Sequence, residues 1–512
     1  MRSGERKRSG NSIGRAVFVG VSLLLQIGWI LLTILELNRY STVISLMSSV
    51  LASVAVLRLY SRNTNNAYKL PWIILIMALP VMGLSLYLMV EAAATPGAVR
   101  KKLRRVREHT AACIDQEETV LAALLEQDAS SANQCHYLWK HTHSPVYANT
   151  KTEYYSRAAD AFAALKADLE QAESFIFLEY FIVEDGRAFG ELREILRRKA
   201  AEGVEVRLIY DDFGSIGYVN LRFARELSRD GIRCRVFNPA VPVLKLFMNH
   251  RDHRKIAVID GKIGYTGGFN LADEYFDLVN TYGDWKDTGI RLEGKGVRSM
   301  TATFLELWNA REKAPEPVDR YLQVTESVPA EGFVQPFGDN PLEQERAAEN
   351  AYIGLIQDAK KYVWLMTPYL MITDEMKHAL GLAAKRGVDV RIITPGVPEK
   401  RTVYAVTRSY YGGLASQGVR IFEYTPGFLH AKQCVSDGRM ASIGTSNLDF
   451  RSLYLHFENN VMLYGGPAVK QMEEDFRETF AVSREVTERC RDKRTGFLRL
   501  WQCILRLFAP MM

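Results

Sequence analysis

The chain has 512 residues, enough for two domains of ordinary size plus an appendage, and carries 47% hydrophobic residues with a formal net charge of +6. That modest positive excess suits an anionic lipid surface and nucleic acid equally well. The six cysteines (Cys113, Cys135, Cys234, Cys434, Cys490, Cys503) are scattered without a CxxC pair, which argues against a disulfide framework or a cysteine zinc site and leaves free thiols in a reducing compartment as the simpler reading.

The first ninety residues are apolar. Residues 16–35 run for twenty positions without a charge and residues 70–90 for twenty-one; each is long enough to cross a hydrocarbon core of about 30 Å. Residues 41–57 between them are shorter and serine-rich, a third candidate span. Arg2, Arg6, Lys7, Arg8 and Arg15 imitate the basic start of a signal peptide, but the length and the lack of a small-x-small site argue for a retained anchor. Residues 1–95 are therefore expected to form a transmembrane anchor of two or three helices. With three spans the basic residues divide eight against seven and orientation stays open; with two, both basic ends lie inside and the remainder of this cell-membrane protein faces the cytoplasm.

Residues 96–149 read as a connector. The cluster RKKLRRVR (100–107) either meets anionic headgroups or is simply solvated. A charged helical stretch over 100–127 leads to His136, His141 and His143, and with no carboxylate or thiol framework beside them an ordinary loop is expected rather than a metal cluster.

From residue 150 the chain repeats a pattern of strand, helix, strand, helix, strand. Strands are predicted at 174–182, 204–210 and 232–237, with helices over 188–202 and 219–230 between them. The second copy has strands at 361–370, 388–394 and 419–424, with helices near 374–386 and 401–416. GVEVRLIY (203–210) answers GVDVRIIT (387–394), which implies two related α/β halves, 150–325 and 326–485, with mostly parallel sheets flanked by helices. Residues 240–249 (AVPVLKLFMN) have no counterpart in the second half and form either a buried packing loop or a lip touching acyl chains. The tail 486–512 ends in helical spacing of Phe497, Leu500, Trp501, Ile504, Leu505 and Phe508, an amphipathic helix that lies on a membrane or docks on the protein's own core.

Chemistry enters with HRKIAVID (253–260) and HAKQCVSD (430–437), which set His253, Lys255 and Asp260 at the same offsets as His430, Lys432 and Asp437. Seventeen residues after each histidine comes an asparagine in a small-residue turn, Asn270 in GGFN and Asn447 in GTSN. In a chain with nine histidines such a coincidence is unlikely to be noise. A histidine can be a nucleophile or a proton carrier, and a lysine beside it holds an anion in place.

HxKxxxxD followed by a glycine-rich turn and Asn, present twice, resembles the phospholipase D superfamily over roughly residues 150–485. The hydrophobic amino terminus and the phrase NHRDHRK resemble bacterial cardiolipin synthases within it. The resemblance implies two phospholipase D-like α/β/α domains packed with pseudo-twofold symmetry behind transmembrane helices. It implies a phosphatidyltransferase in which one phosphatidylglycerol passes its phosphatidyl group, through a phosphohistidine, to another, giving cardiolipin and glycerol. His253 is the expected nucleophile and His430 the acid and base. Lys255, Lys432, Asn270, Asn447, Gly268 and Thr445 would surround the phosphate, with no metal or other cofactor needed. Asp260 and Asp437 would be mainly structural. An acid downstream of each histidine should orient it, Glu458 in the second half and Asp287 in the first. Anionic membrane lipids are the expected partners and nucleic acid is not. A phospholipase D that uses water and a nuclease remain the competing readings of the same residues.

Overall fold

In a computed structural model of the chain, the structure describes residues 42–62, 64–92, 97–239, 250–310, 316–323, 328–491 and 496–511, with scattered positions between 21 and 35. The expected span 16–35 lies largely, and the apolar loop 240–249 wholly, outside the described residues.

The expected span 70–90 is not one helix. After α1 (Thr42–Tyr60) come α2 (Asn66–Ala78) and α3 (Pro80–Ala92), each of 13 residues. At about 1.5 Å per residue each reaches about 20 Å, short of a bilayer core. The cause is Pro80, which disfavours helical backbone at the residue before it, and Leu79 sits at φ −136° and ψ 75°. Gly83 then presses on the preceding helix, where a Cβ would lie 2.5 Å from the Leu75 carbonyl oxygen. Among the described residues no helix is long and apolar enough to cross a membrane. Ala52, Leu59, Ile76 and Tyr87 form a small core among the three helices. Tyr68 ties α2 to the carboxyl-terminal half, its ring edge-on to Phe450 at 5.7 Å and its hydroxyl donating to the Phe450 carbonyl.

The connector forms α4 (Gly97–Ala111), α5 (Glu118–Gln127) and α6 (Ala129–Thr142). His136 and His141 therefore lie on a helix rather than the expected loop, and His143 caps it in the left-handed region at φ 55°.

The first half runs β1 (Thr150–Tyr155), α7 (Ala158–Glu170), β2 (Phe175–Tyr180), α8 (Arg187–Ala201), β3 (Glu205–Asp211), α9 (Phe223–Arg229), β4 (Arg233–Phe237), β5 (Arg251–Asp252), β6 (Lys255–Ile259), β7 (Ile263–Gly267), β8 (Asp284–Lys286), β9 (Gly289–Gly294) and α10 (Val297–Ala310). Its seven-stranded sheet has the order β1-β9-β7-β6-β2-β3-β4. All six residues of β2 are buried, as expected of a strand covered on both faces, and α8 supplies one cover through Phe189, Leu192, Ile195 and Leu196 on a single stripe.

The second half runs β10 (Phe333–Asp339), α11 (Ala347–Asp358), β11 (Tyr362–Met366), α12 (Asp374–Lys385), β12 (Asp389–Pro395), α13 (Arg401–Ala415), β13 (Arg420–Tyr424), β14 (Gly427–Leu429), β15 (Gln433–Ser436), β16 (Met440–Gly444), α14 (Phe450–Tyr454), β17 (His456–Tyr464), α15 (Pro467–Ala481) and β18 (Ser483–Glu485). The order β10-β17-β16-β15-β11-β12-β13-β18 repeats that of the first sheet and adds one edge strand. A single buried cluster joins the sheets, with Ile256, Val258 and Ile290 from one half and Val435, Ile443 and Val461 from the other. The chain closes with α16 (Gly496–Phe508).

The expectation of mostly parallel sheets fails. Only β2–β3–β4 and β11–β12–β13 are parallel within the two sheet paths. The strands that follow the two histidines, β6 and β15, return through tight turns to β7 and β16, and so short a connection allows only antiparallel pairing.

Candidate active site

Each histidine is delivered to the opposite half by a short parallel pairing. β5 pairs with the start of β17, His456 opposite Arg251, and the His253 amide donates to the Phe457 carbonyl at 2.9 Å. Reciprocally β14 pairs with β8, and the His430 amide donates to the Lys286 carbonyl at 2.7 Å. The two motifs thus meet where the halves join.

The side chains cross over in the same way. His253 Nδ1 lies 2.9 and 3.0 Å from the two oxygens of Glu458, and His430 Nδ1 lies 2.6 Å from Asp287 Oδ2. The expected acids are both present, but each serves the histidine of the other half rather than its own. The reason is the staple just described, since β17 carries Glu458 alongside the His253 loop and Asp287, the residue just past β8, lies alongside the His430 loop. With Nδ1 so engaged, Nε2 is the nitrogen that His253 turns to a substrate, while His430 Nε2 also lies 3.1 Å from Lys432 Nζ.

Lys255 Nζ donates to the His253 carbonyl at 2.6 Å, and Lys432 Nζ lies 2.7 Å from His430 Nδ1 and donates to its carbonyl. Both lysines are buried. Burial pushes the Lys255 ammonium down to about 7 and Lys432 to about 8, against the attraction of Glu458 and Asp287. Burial, then Lys432, lowers His430 to about 4; burial, then Lys255 and Lys432, holds His253 well below its usual value. Charges of each half act on the other half's histidine, which places both in one electrostatic environment.

Asp260 and Asp437 lie away from this chemistry. Both sit in the left-handed region at φ 53°. Asp260 accepts from the amides of Glu173, Ser174 and Phe175, and Asp437 from those of Lys360, Lys361 and Tyr362. Each motif aspartate thus ties its turn to the start of the adjacent central strand.

Asn270 accepts from the Ile182 amide at 3.1 Å and donates to the Tyr275 hydroxyl at 2.8 Å. Asn447 donates to Asp449, and its buried Oδ1 has no partner among the described residues. The Thr445 hydroxyl donates to Glu458 and accepts from the Asn459 amide at 2.9 Å. At Gly268 a Cβ would come within 2.0 Å of Asp287 Oδ1, so this glycine makes room for the acid behind His430. Phe181 stands edge-on to His253 at 5.0 Å, and Tyr275 and Trp285 flank His430 at 5.3 and 5.6 Å.

Sequence reasoning passed over His456, although HFENN places it two residues before Glu458 and therefore on the same strand face. Donor atoms of His253, His456 and Glu458 lie within 4.8 Å of one another, the group of described residues able to share a cation. Lys255 and Lys432 bring positive charge to the same site, which opposes such an ion.

The family model described as a cardiolipin synthase, phospholipase D-like domain matches residues 165–289 and 352–480, and a phospholipase D-nuclease amino-terminal model matches 49–90. A cardiolipin synthase of Oceanobacillus iheyensis is 32% identical over 86% of this chain and 93% of its own length. One of Listeria monocytogenes is 31% identical over 93% of this chain and 100% of its own. An uncharacterized protein of Streptococcus mutans is 38% identical over 90% of this chain and 99% of its own. The crystal structure of the phosphatidylserine synthase of Haemophilus influenzae shares the fold with a TM-score of 0.53 at 16% identity, covering 70% of this chain and 93% of that one. Two histidine-lysine motifs facing each other across matched α/β halves, together with these relatives, place the chain in the cardiolipin synthase family of phospholipase D-type phosphatidyltransferases.

Proposed function

We propose that the protein condenses two phosphatidylglycerols into cardiolipin and glycerol through a phosphohistidine. The observation that carries this reading is the reciprocal exchange of acids, His253 with Glu458 and His430 with Asp287, at one junction. Neutral His253 attacks phosphorus through Nε2, and the bond from phosphorus to the glycerol oxygen breaks as His430 supplies that oxygen with a proton. The terminal hydroxyl of the second lipid then gives its proton to His430 and attacks phosphorus, and the histidine–phosphorus bond breaks. Lys255 and Lys432 face the developing charge on the non-bridging oxygens, with the Asn447 amide beside them. The anionic phosphodiester favours the cationic state of His430, which burial disfavours.

Exposed apolar side chains support a membrane seat for this reaction. Leu46, Val50 and Val54 on α1, Ile74 on α2 and Trp501 and Ile504 on α16 are exposed, and α16 packs near α2. An anionic bilayer fits them, with the basic α4 next in the chain.

The test is a product assay with purified protein in phosphatidylglycerol vesicles under excess chelator. Cardiolipin rising in step with glycerol is the expected result. Phosphatidic acid without cardiolipin would make water the acceptor and refute the transferase reading, and activity lost on chelation would refute the metal-free scheme.

A further inference from the structure

His456 opens β17 and shares a strand face with Glu458. Its side chain is 9% exposed, whereas that of Glu458 is 0% exposed. The ring centre lies 5.4 Å from that of His253, and Phe181 stacks on it at 6.3 Å. Nδ1 is 3.7 Å from Glu458 Oε1, beyond hydrogen-bond reach, and among the described residues neither ring nitrogen has a hydrogen-bond partner. An unpaired polar group inside a protein is costly and points to a partner that arrives with a ligand. The two dyads make no use of this imidazole, because Glu458 is already shared by His253 and Thr445. Burial keeps it neutral, its pKa pushed down to about 3. A neutral imidazole offers one N–H and one bare nitrogen, and a hydroxyl can meet either edge because it both accepts and donates.

We propose that His456 binds a hydroxyl of the glycerol headgroup on the alcohol that receives the phosphatidyl group, a specificity residue beside the nucleophile. The assignment rests on the phosphatidyl-transfer reading and names the acceptor subsite within it. Held by one hydroxyl, the headgroup presents its terminal hydroxyl to phosphorus and is favoured over water, which has no second group to anchor. The attacking hydroxyl still loses its proton to His430; His456 carries none and forms no bond to phosphorus.

The same glycerol chemistry arrives as a lipid headgroup or as free glycerol, and one reaction reads both. Wild type, His456→Ala and His456→Asn are incubated, as full-length chains, with phosphatidylglycerol vesicles and isotopically labelled free glycerol. The ratios of cardiolipin to phosphatidic acid and of labelled phosphatidylglycerol to phosphatidic acid are measured, and neither depends on the fraction of enzyme that folds. His456→Ala is expected to lower both ratios about tenfold, the worth of one neutral hydrogen bond. His456→Asn, which retains a donor and an acceptor, is expected to lower them less. Unchanged ratios in both variants overturn the proposal. A loss confined to cardiolipin also overturns it, because it would put His456 on the acceptor's phosphodiester rather than its hydroxyl. Wild-type enzyme that makes no cardiolipin refutes the transfer reading itself, a failure seen before any variant is compared.

Discussion

Burial governs protonation at the paired histidines and lysines, and this gives the site a definite pH signature. A lysine lowered by burial sheds its proton earlier than usual, so the ammonium groups proposed to bind phosphate fade as pH rises through about 7 for Lys255 and about 8 for Lys432. The value of kcat/KM, which reports the free enzyme, is expected to fall over that range rather than near pH 10, and Lys255→Arg, which removes the lower of the two transitions, should push the alkaline limb upward. A flat profile from pH 6 to 9 would contradict this. His253→Ala and His430→Ala should each abolish turnover, while Glu458→Gln should cost about 10²–10⁴-fold in kcat with the fold intact by circular dichroism. The motif spacing makes His253, Lys255, His430 and Lys432 legible in the sequence. It does not show which acid serves which histidine, because β5–β17 and β8–β14 pair residues about two hundred and one hundred and forty positions apart, and nothing local encodes a pairing at that range.

At the level of elements, strands and helices of the repeats follow from period and punctuation, and β2, β3, β11 and β12 fall within a residue or a few of where alternation puts them. Sheet direction does not follow from the same pattern, because a buried strand looks alike in parallel and antiparallel company. The turns after β6 and β15 decide it. Asp260 and Asp437 hold those turns, each through three charge-assisted bonds to backbone amides, so alanine at either position should cost about 3 kcal/mol in chemical unfolding. Activity per folded molecule should fall far less than it does for a histidine variant, and a selective loss of turnover without loss of stability would give these aspartates a chemical role. Hydropathy alone makes 70–90 a span; Pro80, read as a helix breaker, marks the interruption between α2 and α3.

Across the whole molecule, the amino-terminal helices, the second half and α16 form one assembly, with Tyr68 on Phe450 and α16 beside α2. Replacing Trp501 and Ile504 by serine should reduce co-sedimentation with anionic vesicles about tenfold while soluble short-chain substrate is still turned over, and unchanged sedimentation would mean that α16 serves only as packing. The crossed dyads also fix how lesions combine. His253→Ala and Glu458→Gln lie in different halves yet disable one pair, so their double variant should be scarcely worse than His253→Ala alone. Glu458→Gln and Asp287→Asn strike separate pairs, so their defects should multiply. Epistasis would then partition the enzyme along its chemistry and across its chain: a heritable defect in the second half is masked by one in the first, and the repeat visible in the sequence is not a unit that could be inherited, transplanted or lost alone with its function.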